Sequence, residues 1–158
     1  MLTGRMSSLN NIMDSQVLQA FFTYATVVVL KMMLMSPLTS YFRLTRKVFA
    51  NLEDTKLASP TVDKKLVRVD PHVERVRRCH QNDLENVILF VLIGLLYSLT
   101  GPELSTALLH FRLFTGSRIF HTISYVGALP QPSRFLSFIL GLLVTFSMAC
   151  RVLCTTVL

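Results

Sequence analysis

An all-α integral membrane protein, built as an up-down bundle of four helices, is the fold this sequence predicts, and three observations carry it. The 158 residues are 51% hydrophobic, with a mean hydropathy of +0.50 and no Trp, which is more apolar than an average soluble domain. Four long apolar runs occupy most of the chain, separated by breaks containing Pro or Gly, and they leave little sequence for a polar shell. The net charge of +7 is concentrated, because Arg43, Arg46, Lys47, Lys56, Lys64, Lys65, Arg68, Arg75, Arg77 and Arg78 all fall in or beside one connection. Lys and Arg collect in this way in short cytoplasmic loops. A nucleic-acid surface needs its basic stripe on a soluble module with groove-reading or aromatic partners, and none is present, so nucleic acid is not an expected partner.

The whole chain, 1–158, reads as a single membrane domain. Span one is expected over about 15–42, with Asp14 as a candidate N-cap and Arg43, Arg46 and Lys47 at its carboxyl end, where cations complement the helix dipole. Arg5 and polar residues precede this run much as in a signal peptide, but the run is too long and lacks a small-residue cleavage site, so a retained span is expected. Pro37 is a candidate kink. The connection over about 43–71 is read as a cytosolic loop, and its mixed charge, its Pro60 and its lack of an apolar period predict a mobile stretch.

Asp70-Pro71 has the form of an N-cap followed by proline at the first helical position, and opens span two over about 72–100. Thr100-Gly101-Pro102-Glu103 is a tight turn before span three, over about 104–126. Leu129-Pro130-Gln131-Pro132 breaks the chain again, with Ser133 as a candidate cap, before span four over about 133–153. Short turns make spans two, three and four antiparallel neighbours. With the basic loop in the cytosol, the Gly101 turn lies outside and the Pro130 turn returns to the cytosolic face.

Arg43, Arg78, Asn82, Glu85, His121, Tyr125 and Arg134 come from different spans, yet that topology brings all of them to one membrane face. Ionisable groups at membrane depth are costly, and they mark working sites by facing one another or a wet cavity. Arg78, Asn82 and Glu85 recur at i, i+4 and i+7, one stripe of a helix, and Arg118, His121 and Tyr125 form a second at i, i+3 and i+7. Guanidinium, amide and carboxylate together suit a ligand carrying both carboxylates and an ammonium group. The bland alternative is that Glu85 and the arginines only neutralise one another, with Tyr125 in an interfacial belt. Lys31 lies about a dozen residues inside span one, on the order of 18 Å from Arg43, and needs an internal partner or must snorkel. The Met32, Met33 and Met35 cluster reads as packing. Cys79, Cys150 and Cys154 are odd in number and lack CxxC spacing, so neither a disulfide framework nor a metal site is expected.

Three stretches carry a resemblance: RLTRKVFANLED from Arg43, ERVRRCHQNDLEN from Glu74 and RIFHTISY from Arg118. They resemble the membrane-associated eicosanoid and glutathione metabolism (MAPEG) family, and HFRLFTGSRIFHT and LPQPSRFLSF are nearest its microsomal glutathione transferase branch. The resemblance covers nearly all of the chain from about residue 13. It implies a homotrimer in the endoplasmic reticulum membrane, and in the outer mitochondrial membrane, with glutathione as co-substrate between neighbouring subunits near the cytosolic face. Residue by residue, it implies that Arg43, Arg77, Arg78, His80, Asn82, Glu85, His121 and Tyr125 bind or frame glutathione, and that Arg134 stabilises its thiolate. Hydrophobic electrophiles and lipid hydroperoxides, arriving through membrane lipid, are the implied second substrates, and no metal is implied.

Departures from the family pattern narrow this. Leu52 replaces a proline and Thr55 a cysteine tied to activation by thiol modification, which argues against such activation here. Phe135 follows Arg134 where the prostaglandin E synthases carry a serine, and Gln81 replaces an arginine, which argues against isomerase activity. The rivals are a prostaglandin E or leukotriene C4 type of synthase, and a non-catalytic lipid-binding or scaffold member of the same fold. A channel or transporter is disfavoured by the lack of internal repeats or a regular pore-lining ring.

Overall fold

The computed structural model describes residues 15–157, and the Asp14 cap lies outside them. Among the described residues four helices run antiparallel in sequence order: α1 Gln16–Arg46, α2 Pro71–Leu99, α3 Leu104–Val126 and α4 Gln131–Val157. α1 packs chiefly along α2, and α3 along α4. Among the described residues, α1, α2 and α4 are long and apolar enough to cross a membrane. The protein is therefore a multi-pass membrane protein. α3 is less apolar because His110, Arg112, Arg118 and His121 interrupt it, and two of these, Arg118 and His121, are buried inside the bundle.

α1 continues a full turn beyond the apolar boundary and passes through Pro37 without interruption. Its last turn holds Arg43 and Arg46, and Lys47 closes it in the left-handed region at φ 51°, while the Val48 N–H returns to the Arg43 carbonyl at 3.0 Å, a turn that satisfies the last carbonyls. α2 begins as its sequence predicts: Asp70 accepts from the His72 and Val73 N–H groups at 2.9 and 3.2 Å, and Pro71 stands at the first position. The Asp70 carboxyl is partly shielded from water, which favours its neutral form, yet those two donors and the Arg46 charge outweigh this and hold its pKa below the usual carboxylate range. The 3.7 Å approach of Arg46 also ties the end of α1 to the start of α2. Gly101 turns the chain at φ +66°, a conformation that favours glycine. Glu103 caps α3, its pKa lowered by hydrogen bonds from Ser105 and Thr106. α4 starts two residues before the anticipated cap, and Ser133 Oγ donates instead to the Pro130 carbonyl at 2.8 Å.

The expectation of a loosely structured connection is corrected by the structure. Two short 3-10 turns, Glu53–Leu57 and Lys64–Leu66, occupy it, and Phe49 bridges to Val67, with the Phe49 N–H donating to Leu66 O at 2.9 Å. Thr55 is the hub: fully buried, it donates to the Leu52 carbonyl at 2.7 Å and accepts from the Asp63 N–H at 3.1 Å. Val48 and Phe49, just after α1, are buried as well. A threonine at position 55 therefore orders the connection through its hydroxyl, where a cysteine would offer only a weakly hydrogen-bonding thiol.

The apolar core lies toward the Gly101 end. Phe21 of α1, Phe90 of α2 and Phe111 and Phe114 of α3 form an aromatic cluster, with Phe90 and Phe114 stacked at 3.8 Å between centroids. Gly94 permits Phe21 to lie against α2, since a Cβ there would come within 2.6 Å of the Phe21 ring. Toward the opposite end, which carries the 47–70 connection, a second small cluster of Met35, Val76 and Cys79 sits with Leu38, Phe42 and Tyr125 packed against it. The Cys79 thiol is buried, 3.7 Å from Thr122 Oγ1, whereas Cys150 and Cys154 are exposed on α4, and all three are free.

Candidate functional site

The inward face of α2 is set by Val76, Cys79, Asp83, Asn86, Val87 and Phe90, all buried, at the i, i+3, i+4, i+7 spacing of one helical face. That register decides where the polar stripe points. Asn82 lies at the edge of the buried face and is half-buried, while Arg78 and Glu85 turn outward and are exposed. Arg78 donates to the Glu74 carbonyl at 3.2 Å, and Glu85 accepts from Gln81 at 3.4 Å. Within the described chain the two stripes thus meet through Asn82.

Four sequence-predicted residues share one cleft of about 190 Å³ at the loop-bearing end: Asn82 from α2, His121 and Tyr125 from α3, and Arg134 from α4, with Gln131, Phe135 and Phe138 completing it. The His121 and Tyr125 rings lie 4.9 Å apart, centroid to centroid, and are tilted by 44° to each other. The Arg134 guanidinium carbon lies 5.1 Å above the Tyr125 ring, a cation–π placement, and its Nη2 donates to Gln131 Oε1 at 2.8 Å. Arg134 Nε is buried without a protein partner among the described residues. The cleft therefore holds a cation whose position is fixed by a ring and an amide and whose charge no carboxylate among the described residues cancels, a setting that favours an anion.

Arg43 and Arg77 line a different cavity of about 360 Å³, walled by Val48, Phe49 and Ala50 after α1, by Arg68 and Val69 of the connection, and by Asp70, Val73 and Glu74 at the start of α2. Arg77 is engaged there by Glu74 at 2.9 Å. His80, half-buried, lines neither cavity. The nine predicted residues thus divide into a cleft group of four, a cavity group of two, and Arg78, His80 and Glu85 along α2 outside both.

Asp83 was not singled out by the sequence, although its signal was present: it stands four residues after Cys79 and seven before Phe90, on the buried face. Its carboxylate accepts from Lys31 Nζ at 2.5 Å and from Arg118 Nη2 at 2.7 Å, which supplies the internal partner that Lys31 requires. Arg118 also donates to Asn82 Oδ1 at 2.8 Å and approaches His121 Nδ1 at 3.2 Å. A buried polar network thus runs from α1 through α2 and α3 to the cleft wall. At the other end of α3, His110 meets the Thr106 carbonyl at 2.7 Å and Ser147 Oγ at 3.0 Å, and Arg112 donates to Tyr24 Oη at 3.1 Å.

The profile of the MAPEG family matches residues 21–154. The chain is 58% identical over 149 residues to microsomal glutathione S-transferase 1 of Homo sapiens, covering 94% of this chain and 96% of that protein. It is 56% identical over 149 residues to the Mus musculus protein of the same name, with the same coverage. Prostaglandin E synthase of Homo sapiens is more distant, at 38% identity over 143 residues, covering 90% of this chain and 91% of that one.

Proposed function

We propose, for a chain that belongs to the MAPEG family, that it is a glutathione transferase which conjugates glutathione to hydrophobic electrophiles and reduces lipid hydroperoxides with the same thiol. The observation that carries the reading is the cleft itself: an uncancelled Arg134 guanidinium held over Tyr125, beside Asn82 and His121, in a chain whose nearest matches reported above are glutathione transferases over almost their whole length.

The chemistry needs that cation. A thiolate, not a thiol, is the nucleophile, and an ordinary cysteine thiol has a pKa of about 8.5, so most of it is protonated at neutral pH. Each unit of depression corresponds to about 1.4 kcal/mol of preferential stabilisation of the thiolate, and a guanidinium within a few ångströms of sulfur supplies it by Coulomb attraction and hydrogen bonding. With an aryl chloride, the thiolate sulfur bonds to the ring carbon and chloride departs with its bonding electrons. With a hydroperoxide, two glutathione molecules become a disulfide while the O–O bond is cleaved to alcohol and water. The exposed apolar faces of α1 and α4 put the protein where such substrates concentrate. Phe135 and Phe138 line the cleft from α4, offering a ring-bearing wall for an apolar reactant.

The remaining predicted residues support a site shared between subunits. Arg78 and Glu85 project from α2 with no more than local hydrogen bonds, and in a homotrimer they would meet a neighbouring chain's cleft, where Arg43, Arg77 and His80 frame the rest of the tripeptide. The basic 47–70 connection would face the cytosol. Residence in the endoplasmic reticulum and outer mitochondrial membranes, and a role in detoxification, follow from the same reading.

Purified protein is expected to conjugate a chloronitroarene with saturable dependence on glutathione. Arg134→Ala should lower turnover by about 100-fold, the size of one lost charge-stabilising donor, while glutathione still binds. Unchanged turnover in that variant removes Arg134 from the role given to it.

A further inference from the structure

Lys31, Asp83 and Arg118 meet inside the bundle, one from each of α1, α2 and α3, and no step of the proposed transfer uses them. Asp83 and Arg118 are completely buried, and Lys31 is 15% exposed. Three charged groups at membrane depth are costly to keep and mark a function when they persist. Their position shows which one: Arg118 extends from Asp83 to the two residues that form the inner wall of the cleft, Asn82 at 2.8 Å and His121 at 3.2 Å.

A guanidinium only donates hydrogen bonds. Against it, Asn82 must turn its carbonyl inward, and His121 must present Nδ1 as a bare lone pair. The proton of the neutral ring then sits on Nε2, and the nitrogen ends of both side chains are what remain to face the cleft. A single nitrogen, Arg118 Nη2, carries the contacts to Asp83, Asn82 and His121. It has two hydrogens for three acceptors, so its aim decides which acceptors are served. The Asp83 carboxylate, itself braced by Lys31, sets that aim.

We infer that Asp83, held by Lys31, is a positioning residue for the transferase: it aims Arg118 so that Asn82 and His121, beside Arg134, offer hydrogen-bond donors to an anionic group of glutathione. The ligand in this inference rests on the transferase reading above. The consequence is selectivity. Donors from Asn82, His121 and Arg134 converge on this wall and suit a carboxylate or thiolate, so an anionic end of the tripeptide is the end expected against them.

The test uses the full chain in detergent or nanodiscs, labelled with 15N at histidine, with His121 assigned by the signal that disappears in His121→Gln. In the wild type, Nδ1 is expected to show the shift of an unprotonated nitrogen and Nε2 that of a protonated one. Asp83→Asn should mix the two tautomers and raise the KM for glutathione about tenfold, the worth of roughly one hydrogen bond. His121→Gln keeps an acceptor for Arg118 and a donor for the cleft, so its KM should rise less than that of His121→Phe, which should show the tenfold rise. A protonated Nδ1 in the wild type overturns the inference, and so does an Asp83→Asn protein that melts earlier with tautomer and KM unchanged, since that is the behaviour of a purely structural ion pair. Wild type that binds no glutathione overturns the ligand here together with the function above. That failure is distinguishable from failure of the network, because the ring proton reports on Arg118 with no ligand present.

Discussion

The same three helices build two unlike interiors. Toward the Gly101 turn, Phe21, Phe90 and Phe111 interlock with Phe114 and Tyr97 in an apolar cluster. About seven to ten residues along each helix, roughly 10–15 Å away, Lys31, Asp83 and Arg118 replace them with charge. The first region follows the ordinary rule that close-packed side chains stabilise by burial and dispersion. The second contradicts it, since well-packed apolar residues in place of a buried ion pair are often no less stable. The difference teaches that the aromatic end holds the helices together, while the charged end is kept for what it does to the cleft wall.

The largest effect that would break this comparison is Asp83→Ala. It leaves Lys31 and Arg118 buried without their counter-charge and should cost on the order of 3–5 kcal/mol, read as a fall in thermal or denaturant midpoint. Replacing the whole set, by Lys31→Met, Asp83→Leu and Arg118→Met together, sharpens it: stability should return to within about 2 kcal/mol of wild type, while the KM for glutathione stays raised about tenfold. A triple variant that remains as unstable as Asp83→Ala would show that the charges hold the fold. At the aromatic end, Gly94→Ala should cost about 1–3 kcal/mol through overpacking against Phe21, partly offset by the better helix propensity of alanine, with the KM for glutathione unchanged.

The smallest effect lies outside both interiors, at the Asp70 cap. Its folded pKa is depressed by the His72 and Val73 donors and by Arg46, which outweigh its partial desolvation. The stability it contributes is therefore present above the unfolded value of about 3.9 and is lost as pH falls through the lower folded value. A melting series at decreasing pH should show a shallower acid decline in Asp70→Ala than in wild type, and parallel curves would remove the cap from the account.

The two interiors were not equally legible in the sequence. Caps and breakers are local signals, so Asp70-Pro71, Gly101 and the Pro130 break placed the ends of the helices within a few residues. The end of α1 was placed a turn short because hydropathy stops at Phe42, whereas the helix continues on cations that suit its carboxyl end, Arg43 and Arg46. The ordered connection was hidden because Phe49–Val67 and Thr55–Asp63 join residues with no shared period. Within the site, the spacing of Arg78, Asn82 and Glu85 identified one helical face correctly and left its direction open. Direction depends on which neighbouring face is buried, and there Asp83 was the deciding residue: its charge disguises a position on the inward stripe. Lys31 carried the complementary clue, since an isolated cation deep in a span requires a counter-charge.

The central claim is that glutathione occupies the cleft formed by Asn82, His121, Tyr125 and Arg134. Calorimetric titration of glutathione into the detergent-solubilised wild type and into His121→Phe tests it most directly. Saturable binding to the wild type, weakened about tenfold in the variant, is the expected result. Equal affinity in the two proteins, or no saturable heat in either, would contradict it.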